Sequence, residues 1–213
     1  GYTGYMDTEI EPDAFAVLIF TSGTTSAAKG VMISNTNLAY NINSVTPYVY
    51  LTPEDRLFSV LPLHHTYEST IGFLYPMAVG ASIVVCQGLK HIAGDMKETS
   101  PTAIIAVPLL IESLYKKINQ GIEKSGKSSA VKSMISLTNG LKNLGIDVKR
   151  KVFNDIYANL GGALRIVVSA AAPIDAKVGR WLSDIGITFL QGYGLTETAP
   201  IAALTPDWDT RVG

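Results

Sequence analysis

Cysteine is scarce in this sequence. Cys86 is the single cysteine among 213 residues, which excludes an internal disulfide and fits a reducing compartment, so we expect a cytoplasmic protein. Cys86 ends the apolar run ASIVVC, where a buried free thiol is the expected state. Long apolar runs are missing as well, and none approaches the roughly 20 residues that a membrane-spanning helix requires.

An excess of charge of either sign is also missing. The chain has 17 Lys and Arg against 18 Asp and Glu, and no basic stripe is interleaved with aromatic residues. This balance argues against nucleic acid as the main partner. With 47% hydrophobic residues the chain can bury one sizeable core, whereas its oligomeric state stays open.

Short apolar runs alternate with amphipathic patterns along the chain. The runs predict strands at 14–20, 56–61, 82–86, 102–107, 164–168 and 187–191. The amphipathic patterns predict helices at 35–46, 68–78, 108–118, 128–138, 147–160 and 175–185. Expected helix starts are Ser34, Pro108, Asp147 and Asp175. We therefore predict an α/β domain with a largely parallel sheet flanked by helices, and we expect the strand at 14–20 to be buried.

Residues 119–150 differ from the rest of the chain because they are rich in Lys, Ser and Gly and only weakly amphipathic. We expect a solvated helical insertion here. A patch that contacts a partner, or the inner face of a membrane peripherally, is the alternative. The apolar face of this segment is too thin to anchor the protein alone.

The stretch TSGTTSAAKG (21–30) combines hydroxyl side chains, glycine and one lysine. It does not match the Walker pattern G-x-x-x-x-G-K-[ST], because Ala28 stands where that pattern has glycine before its lysine. Gly23 lets the backbone turn and present N–H groups, and Lys29 supplies positive charge. The hydroxyl groups belong to Thr21, Ser22, Thr24, Thr25 and Ser26. These residues allow phosphate binding, and a plain Ser/Thr-rich turn remains the alternative.

The stretch QGYGLTET follows the apolar run ITFL. We expect it at the carboxyl end of a strand, which is where α/β sheets bind ligands. Gly192 and Gly194 flank Tyr193, so an aromatic ring stands on a backbone that can approach a ligand closely. This ring can stack on a nucleobase, and an ordinary rim aromatic is the alternative.

Two polar residues of the same stretch have side chains suited to a nucleotide. Thr196 can hydrogen-bond a phosphate, and Glu197 is a hard oxygen ligand of the kind that binds Mg²⁺. A solvated loop acid is the alternative for Glu197.

The stretch LPLHHTYE (61–68) follows another predicted strand and contains His64 and His65. Adjacent residues rarely point at one metal ion, so a histidine pair binding metal is disfavoured. One site histidine beside a core or surface histidine is the preferred interpretation.

Taken together, TSGTTSAAKG, LPLHHTYE, VSAAAPID and QGYGLTETAP occur in the order and approximate spacing of the AMP-forming acyl-adenylate synthetases, which this chain resembles over essentially its whole length. That family includes acyl-CoA synthetases, firefly luciferase and the adenylation domains of peptide synthetases. The resemblance implies that a carboxylate attacks the α-phosphate of ATP to give acyl-AMP and pyrophosphate. A thiol, usually that of coenzyme A, then displaces AMP, and Mg²⁺ is the implied metal.

By position, the resemblance implies a phosphate site. Residues 21–29, with Lys29, match the loop that holds the β- and γ-phosphates. Thr196 matches the threonine near the α-phosphate, and Glu197 matches the Mg²⁺ ligand. The usual loop reads S-G-T-T-G-x-P-K-G, whereas Ser26 replaces its second glycine and Ala28 its proline. Serine reaches positive φ less freely than glycine, and loss of proline relaxes the turn.

The resemblance also implies sites for adenine and for the acyl group. Tyr193 matches the ring beside adenine, and the wall opposite it matches Ala171, Ala172 and Pro173. His65 matches the residue at the mouth of the acyl pocket, near the reacting carboxylate. The long segment 119–150 resembles the branch that activates long-chain fatty acids, and the apolar stretches GFLYPMAVG and IIAVPLL suit an alkyl chain.

Several family elements find no match within residues 1–213. These are the ribose-binding Asp motif, the hinge, the lysine of the mobile C-terminal domain and a substantial N-terminal portion. We therefore expect a single fragment of the AMP-binding domain that is inactive alone. The open alternatives are another carboxylate substrate, transfer to an acyl-carrier protein, a non-catalytic nucleotide sensor and a plain interaction module.

Overall fold

The fold centres on a six-stranded sheet, and the computed structural model describes residues 4, 8–21 and 28–207. The strands are β1 (Phe15–Thr21), β2 (Lys29–Ser34), β3 (Arg56–Ser59), β4 (Ser82–Val85), β5 (Ala103–Ala106), β6 (Ile166–Ser169), β7 (Thr188–Gly194) and β8 (Ile201–Leu204). The helices are α1 (Asn35–Val49), α2 (Tyr75–Val79), α3 (Ile92–Thr99), α4 (Pro108–Lys124), α5 (Ser128–Asn143), α6 (Lys149–Val152), α7 (Asn154–Asn159) and α8 (Ala176–Asp184). A π-helix at Tyr67–Leu74 precedes α2, and a 3₁₀ turn at Thr196–Thr198 follows β7.

The strand order in the sheet is β4-β3-β5-β6-β7-β8. The first five of these strands run parallel, and β8 pairs antiparallel with β7. All residues of β5 and β6 are buried, as expected for central strands of a parallel sheet that is covered on both faces. The predicted α/β fold with a largely parallel sheet is therefore confirmed.

Two apolar cores lie on the two faces of the sheet, because successive strand residues point to opposite sides. On one face Ile104 and Val167 pack with α3, α4, α7 and α8. On the other face Ile105 and Val168 pack with α1, the π-helix and α2. Both faces are thus covered by helices, which fixes the sheet and leaves its carboxyl edge for the loops.

The predicted strand at 14–20 exists as β1, but the expectation that it is buried is wrong for the described chain. This strand pairs with β2 in a separate two-stranded hairpin instead of joining the central sheet. Phe20 keeps 66% of its surface exposed, and Phe15 and Met32 are exposed as well. An apolar run therefore marked a strand correctly without indicating its burial.

The helix starts follow the predicted chemistry. The Ser34 hydroxyl accepts a hydrogen bond from the Asn37 amide, and the Asp175 carboxylate accepts one from the Lys177 amide. Pro108 occupies the first turn of α4. The Asp147 carboxylate accepts from the Lys149 amide, although the predicted helix 147–160 is divided into α6 and α7.

At the amino edge of the sheet, an ion pair between the half-buried Arg165 and the buried Asp55 joins the starts of β6 and β3. Arg165 donates through Nε to Asp55 Oδ1 at 2.9 Å and through its terminal nitrogen to Oδ2, and Thr102 donates to Oδ1 at 2.6 Å. Burial raises the pKa of Asp55, but the hydrogen bonds from Arg165 and Thr102 outweigh burial and hold this pKa well below its usual range. This network holds together the amino ends of β3 and β6, at the edge of the sheet opposite the carboxyl ends of its parallel strands.

Three further expectations concern parts of the chain other than the sheet's topology. Residues 119–150 contain the end of α4 and all of α5, whose Thr138 is buried, so this segment packs partly on the core. Cys86 is a free thiol that is half-buried rather than fully buried. Among residues 4, 8–21 and 28–207, no helix combines the length and the apolarity that crossing a membrane requires.

Candidate functional site

The carboxyl ends of four neighbouring strands meet around one groove, which we call the histidine groove. Its volume is about 430 Å³, and its walls come from residues that end or follow β3, β5, β6 and β7. They include Leu61, His65, Val107, Ala171, Gly194 and Thr196. Because parallel strands end at the same edge of a sheet, segments far apart in sequence converge here.

A second groove, which we call the tyrosine groove, adjoins the first. Its volume is about 810 Å³, and it is lined by residues 171–173, 191–195 and 203–206. Ala171, Gly194 and Leu195 line both grooves. Every residue proposed for the adenine site, namely Ala171, Ala172, Pro173, Gly192, Tyr193 and Gly194, lines the tyrosine groove.

Tyr193 presents its ring at the tyrosine groove with 63% of its surface exposed. On the facing segment, Ala171 adopts φ of 74°, a left-handed conformation that is unfavourable for a residue with a Cβ atom. Such backbone strain concentrates at functional sites, where the surrounding structure holds it in place. The groove therefore combines an exposed aromatic ring with a strained small residue.

Gly194 is required for a reason that the sequence did not indicate. A Cβ atom at this position would lie 1.8 Å from the Pro200 carbonyl oxygen, so no side chain fits. The Pro200 carbonyl also accepts a hydrogen bond from the Leu195 amide at 3.0 Å. Glycine is thus required here because β7 approaches the backbone just before β8 too closely for a side chain.

The 3₁₀ turn 196–198 carries the two polar residues of the second motif. Thr196 lines the histidine groove beside His65, whereas Glu197 is exposed and lines neither groove. The Thr198 hydroxyl closes the turn by accepting from the Leu195 amide at 3.0 Å and donating to the Pro200 carbonyl. The turn therefore has a defined internal geometry with Thr196 on the groove side.

Lys29 is the first residue of β2 and is exposed. It pairs with Thr21 across the hairpin, so these two residues form the base of the loop between them. Ser22, Gly23, Thr24, Thr25 and Ser26 lie outside the described residues. The strand β2, which begins at Lys29, lies against the turn 196–198, so the hairpin and this turn are neighbours in the fold.

The two histidines of the third motif behave differently. His65 lines the histidine groove, while His64 does not, although their rings lie 4.3 Å apart. Within the part of the chain that the structure describes, no group of three or more His, Cys, Asp or Glu side chains could hold a metal ion. A lone carboxylate such as Glu197 still suits Mg²⁺, which keeps several waters and binds through one or two carboxylates plus substrate phosphates.

Glu68 is a buried acid that the motif analysis did not consider. Its side chain is fully buried in the π-helix behind His65, and the Ser59 hydroxyl at the end of β3 donates to it. Burial raises the pKa of Glu68 to about 7, and hydrogen bonds from Ser59 and the Leu61 backbone oppose that rise. This carboxyl group ties the start of the π-helix to the sheet edge.

Asn41 is a second residue that sequence reasoning missed. The residue lies near the middle of α1, and its side chain forms hydrogen bonds with the backbone of Thr198 and Ile201. The sequence indicated this role only weakly. Asparagine is unfavourable inside a helix, so an asparagine in a predicted helix suggests a hydrogen bond from its side chain.

Comparisons with known proteins agree with this arrangement. The family model described as AMP-binding enzyme matches residues 3–213. Human long-chain-fatty-acid–CoA ligase 1 is 30% identical over 219 aligned positions, which cover 95% of this chain and 30% of the ligase. Rat long-chain-fatty-acid–CoA ligase 5 is 31% identical over 216 positions, covering 95% of this chain and 31% of the ligase. The chain thus spans about a third of the length of these relatives.

Solved structures share the fold. Apo MatB from Rhodopseudomonas palustris superposes with a TM-score of 0.69 at 23% identity, covering 96% of this chain and 34% of MatB. VinN, solved with L-aspartate, gives a TM-score of 0.68 at 20% identity, covering 94% of this chain and 42% of VinN. At these identities the likeness concerns the fold alone.

Proposed function

The chain belongs to the family of AMP-binding enzymes, and on that premise we propose that the whole protein is an AMP-forming acid–thiol ligase. In this proposal it activates a long-chain fatty acid with ATP and transfers the acyl group to coenzyme A. The curated relatives quoted above are long-chain-fatty-acid–CoA ligases at 30% and 31% identity, which supports the choice of substrate class.

One observation carries the proposal. Segments around residues 61–67, 170–173 and 191–206 converge on two adjoining grooves that share Ala171, Gly194 and Leu195. An acyl-adenylate has two ends of different chemistry joined at a phosphate. Two grooves that meet at the end of β7 suit such a molecule, with its phosphate near Thr196.

The tyrosine groove is the proposed adenine site. The exposed Tyr193 ring offers a flat surface for the base, because offset stacking between aromatic rings is favourable. The small residues 171–173 would border the base on the other side. Gly192 and Gly194 add no side chain that would block the base.

The turn 196–198 and the hairpin base are the proposed phosphate site. A carboxylate and a polyphosphate repel each other, so the site must supply positive charge and hydrogen-bond donors where negative charge accumulates. Thr196 would donate to the α-phosphate, and Lys29 with the loop that it closes would hold the β- and γ-phosphates. Glu197 would hold Mg²⁺, which neutralises phosphate charge when bound.

The histidine groove is the proposed site of the reacting carboxylate and the first part of the alkyl chain. Its walls include the apolar residues Leu61, Val107 and Ile201, beside His65 and Thr196. In the first step a carboxylate oxygen forms a bond to the α-phosphorus while the bond to pyrophosphate breaks. In the second step the thiolate sulfur bonds to the acyl carbon, and AMP leaves.

The test is ATP–pyrophosphate exchange by the full-length protein over carboxylates from acetate to palmitate and a set of amino acids. The proposal predicts the fastest exchange with long-chain fatty acids. Lys29→Ala should slow that exchange about tenfold to a hundredfold, since a hydrogen bond to a charged group contributes roughly 1.5–3 kcal/mol. Lys97→Ala, which removes an exposed lysine on α3, is the matched control and should leave the rate unchanged.

A second candidate is an adenylating enzyme for another carboxylate, with an acyl-carrier protein as the acceptor. The presence of L-aspartate in the structure of VinN, which shares the fold, motivates an amino acid as the alternative carboxylate. Fastest exchange with an amino acid, or thioester formation on a carrier protein but not on coenzyme A, would select this candidate. ATP binding without exchange for any acid would instead select a non-catalytic nucleotide sensor, and no ATP binding would select an interaction module.

A further inference from the structure

Asn41 has an unusual position for a polar side chain. It lies near the middle of α1 with only 6% of its surface exposed, and its helix packs on the sheet. A buried amide in a helix interior is costly unless its hydrogen bonds are satisfied. Its partners therefore indicate what the side chain contributes.

All three hydrogen bonds of the Asn41 side chain go to the backbone between the last residue of the turn 196–198 and the first residue of β8. Its Nδ2 donates to the Thr198 carbonyl at 2.6 Å and to the Ile201 carbonyl at 3.3 Å. Its Oδ1 accepts from the Ile201 amide at 2.9 Å. One side chain thus holds both ends of the short link between the turn and β8.

The helix that carries Asn41 is joined to the β1–β2 hairpin through the chain and through hydrogen bonds. α1 begins directly after β2, where Ser34 and Asn37 form a reciprocal capping box. The Thr36 hydroxyl and amide both donate to the Pro12 carbonyl ahead of β1. Asn41 is therefore a bridge between the unit that presents Lys29 and the turn that presents Glu197.

The turn does not need Asn41 to keep its own shape. The Thr198 hydroxyl already closes it through Leu195 and Pro200. What Asn41 adds is attachment of the turn to α1, which sets the position of the turn relative to the hairpin.

We propose that Asn41 is a positioning residue: through its hydrogen bonds to Thr198 and Ile201 it holds the turn that carries Glu197 in place relative to the β1–β2 hairpin, as the proposed binding of Mg²⁺-bound ATP requires. This inference rests on the proposed function. It assigns a role in the use of the nucleotide to a side chain that lines neither groove.

The test uses the full-length protein and carboxylate-dependent ATP–pyrophosphate exchange. Asn41→Ala removes the three bonds while favouring the helix. Asn41→Asp keeps an acceptor for the Ile201 amide but sets carboxylate oxygen against two carbonyl oxygens. Asn43→Asp, at an exposed position on the same helix, is the matched control. Thermal melting of each variant checks that it is folded.

Loss of positioning should appear in the nucleotide parameters. We expect both Asn41 variants to raise the KM for Mg·ATP and the Mg²⁺ concentration for half-maximal rate about tenfold, with the KM for the fatty acid within twofold of wild type. Asn43→Asp should match the wild type. If Asn41→Asp fails to fold, Asn41→Ala carries the comparison, because alanine adds neither charge nor bulk.

A double-mutant cycle separates positioning from a general structural role. If Asn41 acts through Glu197, adding Asn41→Ala to Glu197→Gln should raise the KM for Mg·ATP by less than twofold beyond Glu197→Gln alone. Full additivity, or an Asn41 effect confined to kcat and melting temperature, would overturn the inference. Failure of the wild-type protein to catalyse exchange with any carboxylate would instead overturn the proposed function.

Discussion

Glu68 offers a prediction whose size follows from its surroundings. Its carboxyl group is fully buried, and a Cβ atom at Gly72 would lie 2.7–2.9 Å from its atoms, so glycine makes the space that it occupies. Burial raises its pKa from 4.5 to about 7 in the folded protein. The folded state thus holds a proton on Glu68 that the unfolded state releases at a lower pH.

The sign of the stability effect follows from this difference. A group whose folded pKa exceeds its unfolded pKa stabilises the fold below the unfolded value and loses that contribution as pH rises through the folded value. The free energy of unfolding should therefore fall between pH 4.5 and about 7 and then level off. Each pKa unit corresponds to about 1.4 kcal/mol, so the loss from this group is roughly 3 kcal/mol.

Glu68→Gln removes the ionisation but keeps the size of the side chain and an oxygen acceptor for Ser59. Urea unfolding of the full-length protein at pH 4.5, 6, 7 and 8 should show the variant gaining about 3 kcal/mol relative to wild type across that range. Glu98→Gln, at an exposed site on α3, is the control and should not change the slope. Parallel curves for Glu68→Gln and wild type would refute the reasoning.

Three further predictions concern the frame of the site. Arg165→Met should lower the free energy of unfolding by about 3 kcal/mol at pH 7, because it leaves Asp55 buried without its charge partner. Urea unfolding measures this loss, and Asp55→Asn in the same background should recover part of it. Gly194→Ala should slow exchange at least tenfold and lower the melting temperature, since its Cβ atom would lie 1.8 Å from the Pro200 oxygen, and normal values for both would contradict that geometry. Ala171→Val should cost about 2 kcal/mol of stability because a β-branched residue resists positive φ, whereas Ala171→Gly should cost none; equal losses would show that backbone conformation is not the cause.

Local patterns accounted for much of the fold. The strands β3 to β7 lie at the predicted apolar runs, since central parallel strands are short, apolar and bounded by helices. Elements with weaker patterns were missed. β8 was missed because its residues IAAL form a partly exposed edge strand with two central alanines instead of a buried apolar run. α3 was missed because it buries only Ile92, Asp95 and Met96 and is otherwise polar or small. β2 was missed because its first residues were taken as part of the phosphate loop.

The candidate site shows the same difference between residues with a local sequence pattern and residues without one. Motifs that repeat a family pattern named residues that line the two grooves, among them Tyr193, Thr196 and His65. Asn41 could not be found that way, because its partners lie 157 and 160 residues away in sequence. Tertiary contacts of this kind have no local signature, and the burial of Glu68 has none either.

The central claim is that the two grooves join a carboxylate to AMP. The most direct measurement supplies the full-length protein with palmitate labelled with ¹⁸O in both carboxylate oxygens, together with ATP and coenzyme A, and determines the label in the AMP by mass spectrometry. Attack of the carboxylate on the α-phosphorus predicts AMP with one ¹⁸O atom, because the bridging oxygen stays with AMP when the thiol takes the acyl group. Unlabelled AMP, or ADP and phosphate as the products, would contradict the account.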